Sequence, residues 1–206
     1  CMFDTCRDAV VEAHRALFAL LRMKCPQCLA LIMAAGVVWS AFGQVSPILD
    51  TSYGAKLLRP TNGVAWWCEA TYKVGRSRVA PTNFTDAVQI SAARNEYEPF
   101  QIVFRPDITW SNLTVVVSDF VLQGGNARIA ATNVEACVVE YVPVTRRSDY
   151  TGAVGPHPDP LIPITGPIAA ASGSNQPIWF TIYVPMDAPA GLYHGWVSFQ
   201  GDANFS

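Results

Sequence analysis

From Val64 onward, apolar and polar residues alternate in short runs, which is the period of a strand with one buried face. In Val64 to Val74, Trp66, Cys68, Ala70 and Tyr72 share one side, while Trp67, Glu69, Thr71 and Lys73 share the other. The first set is assigned to the core. The pattern repeats in Phe100, Ile102 and Phe104, in Leu113, Val115 and Val117, and in Val134, Ala136 and Val138. Near the end, Ile178, Phe180, Ile182 and Val184 line one face, and Tyr193, Val197 and Phe199 another. Turn signals separate these runs: Gly124-Gly125-Asn126, Ser172-Gly173-Ser174-Asn175, and Asp187 through Gly191. The pattern predicts an all-β domain over residues 64–206, a sandwich of two antiparallel sheets of jelly-roll or immunoglobulin-like type. No sustained helical period follows residue 44, so a Rossmann or barrel architecture has no room for its helices. The stretch Gly155 to Pro163 carries too many prolines for a central strand and reads as a stiff, extended surface loop.

The first part of the chain has a different pattern. Met23-Lys24 begins a short cationic start, Leu29 to Trp39 is apolar, and Ser40-Ala41-Phe42-Gly43 supplies small residues. These are the three parts of a secretory signal over residues 23–43, with cleavage between Gly43 and Gln44. The apolar run is shorter than the roughly 20 residues that span a bilayer, so export without a membrane anchor is expected, into the medium or periplasm. Residues 1–22 precede an already complete signal and read as an upstream extension. Their apolar positions Val10, Val11, Ala16, Leu17, Leu20 and Leu21 have helical spacing, so the sandwich is expected to follow a helical leader. Residues 44–63 read as a linker. The chain stops just after a strand, at Phe199 to Ser206, as a truncated chain would.

Composition narrows the chemistry. The chain is 50% hydrophobic and 15% charged, with a formal net charge of −2, so it lacks the basic field that attracts nucleic acid. Fifteen prolines and fourteen glycines suit short strands and tight turns. Of the six cysteines, only Cys68 and Cys137 lie beyond the leader, and they are the pair available for one bridge in an oxidising compartment. Cys25-Pro-Gln-Cys28 has zinc or redox spacing but lies in the hydrophobic leader, with no second ligand pair after it. His157 and His194 stand apart from any Cys/His cluster, so neither a metal nor another cofactor is expected. Glu96 with Glu98, and Asp149 with Asp159, are the carboxylates closest to pairs; Glu96 and Glu98 are read as solvated or paired with Arg94. No catalytic residue is assigned.

If the strand phases hold, Trp67, Trp179, Tyr183 and Trp196 point away from the core. Outward aromatics form a patch that a soluble protein covers or uses. Three readings stay open: the rings stack on sugars, they pack against another domain of the same chain, or they belong to the core. Together with His157 and Asp159 of the proline-rich stretch, they are the candidates for carbohydrate binding or domain docking.

Several segments resemble one family. Ala92-Ala-Arg-Asn-Glu-Tyr-Glu-Pro-Phe-Gln-Ile-Val-Phe-Arg-Pro106 is similar to an early strand of the N-terminal sandwich in glycoside hydrolase family 123 and its relatives. Tyr141-Val-Pro-Val144, Gly155 to Pro163, Asn175-Gln-Pro-Ile-Trp-Phe-Thr-Ile-Tyr-Val-Pro185 and Ala188-Pro-Ala-Gly-Leu-Tyr-His-Gly195 match in order and spacing. The resemblance spans about Trp66 to Phe199. It implies a sandwich that precedes a (β/α)₈ barrel in enzymes releasing N-acetylgalactosamine by a substrate-assisted, retaining mechanism. In that family an adjacent Asp-Glu pair in the barrel does the chemistry, and no residue of this sequence matches that pair. The implied role is a non-catalytic support for a barrel of the same parent chain. An independent carbohydrate-binding module and a cell-surface structural domain are the alternatives.

Overall fold

A strand that is apolar on one side needs a second layer to cover it, and the apolar runs here find theirs in one another. The computed structural model describes residues 47–57, 62–147 and 154–202. The chain divides into two units, Cys1–Gln44 and Val45–Ser206, and every described residue belongs to the second. The expected helical leader and the cleavage position at Gly43 and Gln44 lie outside the described residues.

A 3-10 turn, Pro47–Leu49, opens the described chain. The strands are β1 (Ala55–Lys56), β2 (Gly63–Glu69), β3 (Glu96–Pro106), β4 (Trp110–Val117), β5 (Phe120–Leu122) and β6 (Arg128–Ile129), followed by β7 (Val134–Val144), β8 (Gly155–Pro163), β9 (Ile168–Ala170), β10 (Gln176–Val184), β11 (Tyr193–His194) and β12 (Val197–Gly201). They build a six-stranded sheet in the order β1-β2-β3-β10-β7-β8 and two three-stranded sheets, β11-β5-β6 and β12-β4-β9. All these strand pairs are antiparallel. β1 lies in the stretch expected to be a linker and pairs with β2, Ala55 opposite Trp67 and Lys56 opposite Trp66.

The main core joins one face of the six-stranded sheet to residues of both smaller sheets. Phe100, Ile102, Phe104, Ile178, Phe180 and Ile182 meet Trp110, Leu113, Ile129, Ile168 and Phe199. Phe104 is the aromatic centre: its ring centroid lies 4.6 Å from Phe199 and 5.7 Å from Trp110, both at steep angles. Each such ring, fully buried, contributes roughly 1.5–3 kcal/mol over leaving it in water. The strand phases predicted for β3, β4, β7 and β10 agree with this core.

The predicted phase of β2 does not. Trp67 packs against the main core, whereas Trp66 and Cys68 face the opposite side of the sheet. Both sides are covered, because Trp66 and Cys68 are buried with Tyr53, Val74 and Val103 in a second apolar cluster. When a strand is buried on both faces, alternation carries no information about which face is the core. The assignment of Trp67 as an outward ring is therefore corrected.

The same second face decides the cysteines. Register places Cys68, Gln101, Trp179 and Cys137 in one cross-strand row on β2, β3, β10 and β7. Three strand spacings separate the thiols, about 14 Å, against the roughly 4.4–6.8 Å that a disulfide requires between Cα atoms. Both thiols are free and buried.

The proline-rich stretch is also corrected: Gly155 to Pro163 is strand β8, at the edge of the six-stranded sheet. Pro156, Pro158 and Pro163 lie opposite Pro143, Tyr141 and Cys137, while His157 and Ile162 take the alternate positions opposite Val142 and Val138. An edge strand tolerates proline wherever its nitrogen faces away from the only neighbour. Pro99 and Pro177 follow a related logic, since each lies where its strand has a partner on one side only: Pro99 opposite Thr181 and Pro177 opposite Val103.

Candidate functional site

The outer face of the six-stranded sheet is divided between a covered part and an aromatic strip. The cover is the segment 70–81, which leaves β2 and straps across the sheet. Gln101, itself buried, donates its amide to the carbonyl of Tyr72 at 2.8 Å. The Tyr72 ring stacks on Tyr53 at 3.9 Å and 6°. The Tyr141 hydroxyl donates to the carbonyl of Val74 at 2.7 Å, and Arg76 lies 4.4 Å above the Tyr141 ring. At the far edge, Lys73 reaches Asp159 at 2.9 Å.

Arg78 fixes the underside of this strap. It is buried between two rings, with its guanidinium 4.1 Å from the centroids of both Tyr53 and Trp66. Its Nε donates to the carbonyl of Asp50 at 2.7 Å and its Nη2 to that of Tyr53 at 2.5 Å. Burial pushes the Tyr53 hydroxyl up to about 12, with Arg78 opposing, and the Cys68 thiol likewise up to about 12. Burial raises the Tyr141 hydroxyl as well, against the pull of Arg76. These groups stay protonated at neutral pH and serve the packing rather than proton transfer.

Beyond the strap the face carries Trp179, Tyr183 and Tyr97. Trp179 and Tyr183 are both on β10, four residues apart, so their Cα atoms are about 14 Å apart along one face. Register sets Tyr183 opposite Tyr97, and the two rings lie 4.7 Å apart. The Tyr183 hydroxyl donates to Asn95 Oδ1 at 3.0 Å, and Trp179 Nε1 donates to Thr181 Oγ1 at 3.1 Å. Tyr97 is 68% exposed. Pro99 and Thr181 pair between the rings, so the strip is apolar and edged by hydroxyls.

The remaining predicted residues do not join this strip. His157 sits on the alternate phase of β8, with Nδ1 3.0 Å from the carbonyl of Gly155, two residues before it. Asp159 is engaged by Lys73 in an exposed pair, which contributes at most about 1 kcal/mol. Trp67 is in the core. Of the candidate carboxylate pairs, Asp149 lies outside the described residues, and Glu96 accepts the backbone N–H of Ala93.

Trp196 belongs to a separate place. It is 50% exposed and borders a groove of about 410 Å³ that Asp119, Arg128 and His194 also line. Sequence reading did not single out Asp119 or Arg128, because they are 77 and 68 residues away from Trp196 and only the β11-β5-β6 pairing unites them. It also passed over Tyr97, which the period-two pattern of β3 places opposite the core residues; that pattern was the available signal.

The family comparison agrees with this architecture. The model described as glycoside hydrolase 123 N-terminal domain matches residues 68–201. Among solved structures, the chain is similar to a family 123 glycoside hydrolase from Clostridium perfringens, described in a structural analysis of glycolipid glycan hydrolysis, at 21% identity and a TM-score of 0.48. That likeness covers 54% of this chain and 19% of that one. No curated protein matches the sequence. The match from β2 through β12, over most of the described strands, shows that this chain belongs to the glycoside hydrolase 123 N-terminal domain family.

Proposed function

We propose that the chain is the non-catalytic β-sandwich domain of a secreted glycoside hydrolase, and that it supports a (β/α)₈ barrel in the same parent chain. The two three-stranded sheets are taken together as the second layer of the sandwich. The barrel's substrate is an N-acetylgalactosamine-containing glycan, and residues 23–43 direct export.

The observation that carries the docking role is the outer face of the six-stranded sheet. The strap 70–81 seals one part of it, so the fold has the means to cover this face with its own chain. Beyond the strap the face holds the half-buried Trp179 and Tyr183 on one strand, with the exposed Tyr97 across from Tyr183 on the next. Aromatic side chains supply large contact areas, and their hydroxyls find partners at an interface that is apolar at its centre and polar at its edge. The catalytic barrel is the occupant this surface fits.

The test is made in the longer enzyme. Deleting residues 45–206 should lower soluble yield, and Trp179→Ala with Tyr97→Ala should weaken the hold on the barrel without unfolding the sandwich. A bare barrel that expresses and turns over substrate normally would remove the support role.

A further inference from the structure

The groove beside Trp196 has a composition different from that of the docking strip. Trp196 presents half of its surface to solvent, next to Asp119, Arg128 and His194. We propose that this groove is a second, independent site that binds a neutral pyranose ring of a glycan. The C–H face of the sugar stacks on the Trp196 indole, and its hydroxyls meet Asp119, Arg128 and His194.

Three features carry this assignment. The first is shape: an open groove of about 410 Å³ has room for one ring of a glycan whose remainder stays in solvent. The second is chemistry. A pyranose has an apolar face and a polar rim, so it needs an aromatic surface with hydrogen-bonding groups around it. Asp119 Oδ2 lies 3.7 Å from Arg128 Nη1, so the two charges offset each other. The groove therefore offers donors and acceptors without a net field for a phosphate or a uronate.

The third is preorganisation. The Ser118 N–H donates to the carbonyl of Trp196 at 3.0 Å, and the Trp196 N–H donates to Ser118 Oγ at 2.9 Å. This reciprocal pair holds the indole's backbone against the start of β5. Asp119 Oδ1 accepts the N–H of Ala131 at 2.9 Å, which fixes the carboxylate. Gly195 lies so close to the Phe120 ring that a Cβ there would come within 2.6 Å of it. His194 is held in register opposite Val121. A site held by strands and backbone hydrogen bonds loses little entropy on binding.

The test uses the 206-residue chain with methyl β-galactopyranoside and methyl α-glucopyranoside as probes, and glucuronate and adenosine as controls. Saturation-transfer NMR should show transfer to the ring protons of at least one neutral glycoside, with Kd on the order of 1 mM for a single ring. Trp196→Ala should weaken that binding by about tenfold or more, a magnitude usual for removal of a stacking ring. Arg128→Ala, a change at an exposed side chain that leaves the core untouched, should weaken it as well, and Trp179→Ala should leave it unchanged. The assignment is wrong if neither glycoside shows transfer, if Trp196→Ala and Arg128→Ala bind as the parent does, or if glucuronate or adenosine binds more tightly. None of these outcomes bears on the docking strip, which Trp179→Ala reports separately.

Discussion

Replacing Arg78 by methionine keeps an unbranched apolar stem between Tyr53 and Trp66 and deletes the guanidinium. Two hydrogen bonds from a charged donor to the carbonyls of Asp50 and Tyr53 are lost, each worth about 1.5–3 kcal/mol. Two ring contacts at 4.1 Å also go, each worth about 2 kcal/mol where water is excluded. Against this stands the cost of holding the cation out of water, several kcal/mol by general experience. That cost is increased here because Nη1 has no acceptor among the described residues. The balance predicts a net loss of about 3 kcal/mol, because the substitution leaves the carbonyls of Asp50 and Tyr53 without their donors. Urea denaturation followed by tryptophan fluorescence should show the midpoint falling by about 1.5 M for a slope near 2 kcal/mol/M. Hydrogen exchange should quicken first at Ala55 to Leu57, whose segment Arg78 ties to the sheet. Arg78→Lys should recover little, since an ammonium cannot fill the slot between two rings and donate in both directions. A midpoint within about 0.3 M of the parent's would refute the claim that Arg78 holds the strap to the N-terminal segment.

Three further outcomes follow from the same packing. Tyr53 and Cys68 hold their protons more tightly in the folded chain, each up to about 12 from ordinary values of 10.0 and 9.0. The stability they contribute is complete below pH 9 and is lost as pH rises toward 12; denaturation midpoints from pH 8 to 11 should therefore fall, and Cys68→Ala should delay the onset by about one unit. A flat profile would contradict this. Gly54 has φ +85°, and a Cβ there would lie 2.7 Å from the carbonyl of Trp67, so Gly54→Ala should cost about 1–3 kcal/mol in a thermal melt. Trp67→Ala should cost about 3–5 kcal/mol as a core deletion by the same measurement, and Trp179→Ala on the outer strip much less; equal losses would overturn the corrected phase of β2.

Strands with one buried face were legible from the order of residues. In β10, Ile178, Phe180 and Ile182 alternate with residues that lack a core partner, and the alternation alone assigns the buried side. β2 carries adjacent tryptophans and is buried on both faces, so its phase depended on the strap 70–81, which no local period announces. β8 departs from the expected loop because its prolines exclude a central strand but not an edge strand, and edge position is a property of the whole sheet. The distance between Cys68 and Cys137 likewise became definite only once four strands were in register. Of the predicted surface residues, Trp179 and Tyr183 share a face because they stand four apart on one strand. Asp119, Arg128 and Trp196 come together through three short strands from distant parts of the chain, so their association lies beyond any local pattern. Arg78 shows the same limit, since a charged residue in a loop ordinarily reads as solvated.

The most direct measurement is hydroxyl-radical footprinting of the longer enzyme beside the 206-residue chain. If the outer strip carries the barrel, the exposed Tyr97 is labelled strongly and the half-buried Tyr183 and Trp179 more weakly in the short chain, all three are protected in the long one, and Trp196 reacts equally in both. Equal labelling of all four residues in the two proteins would contradict the docking role.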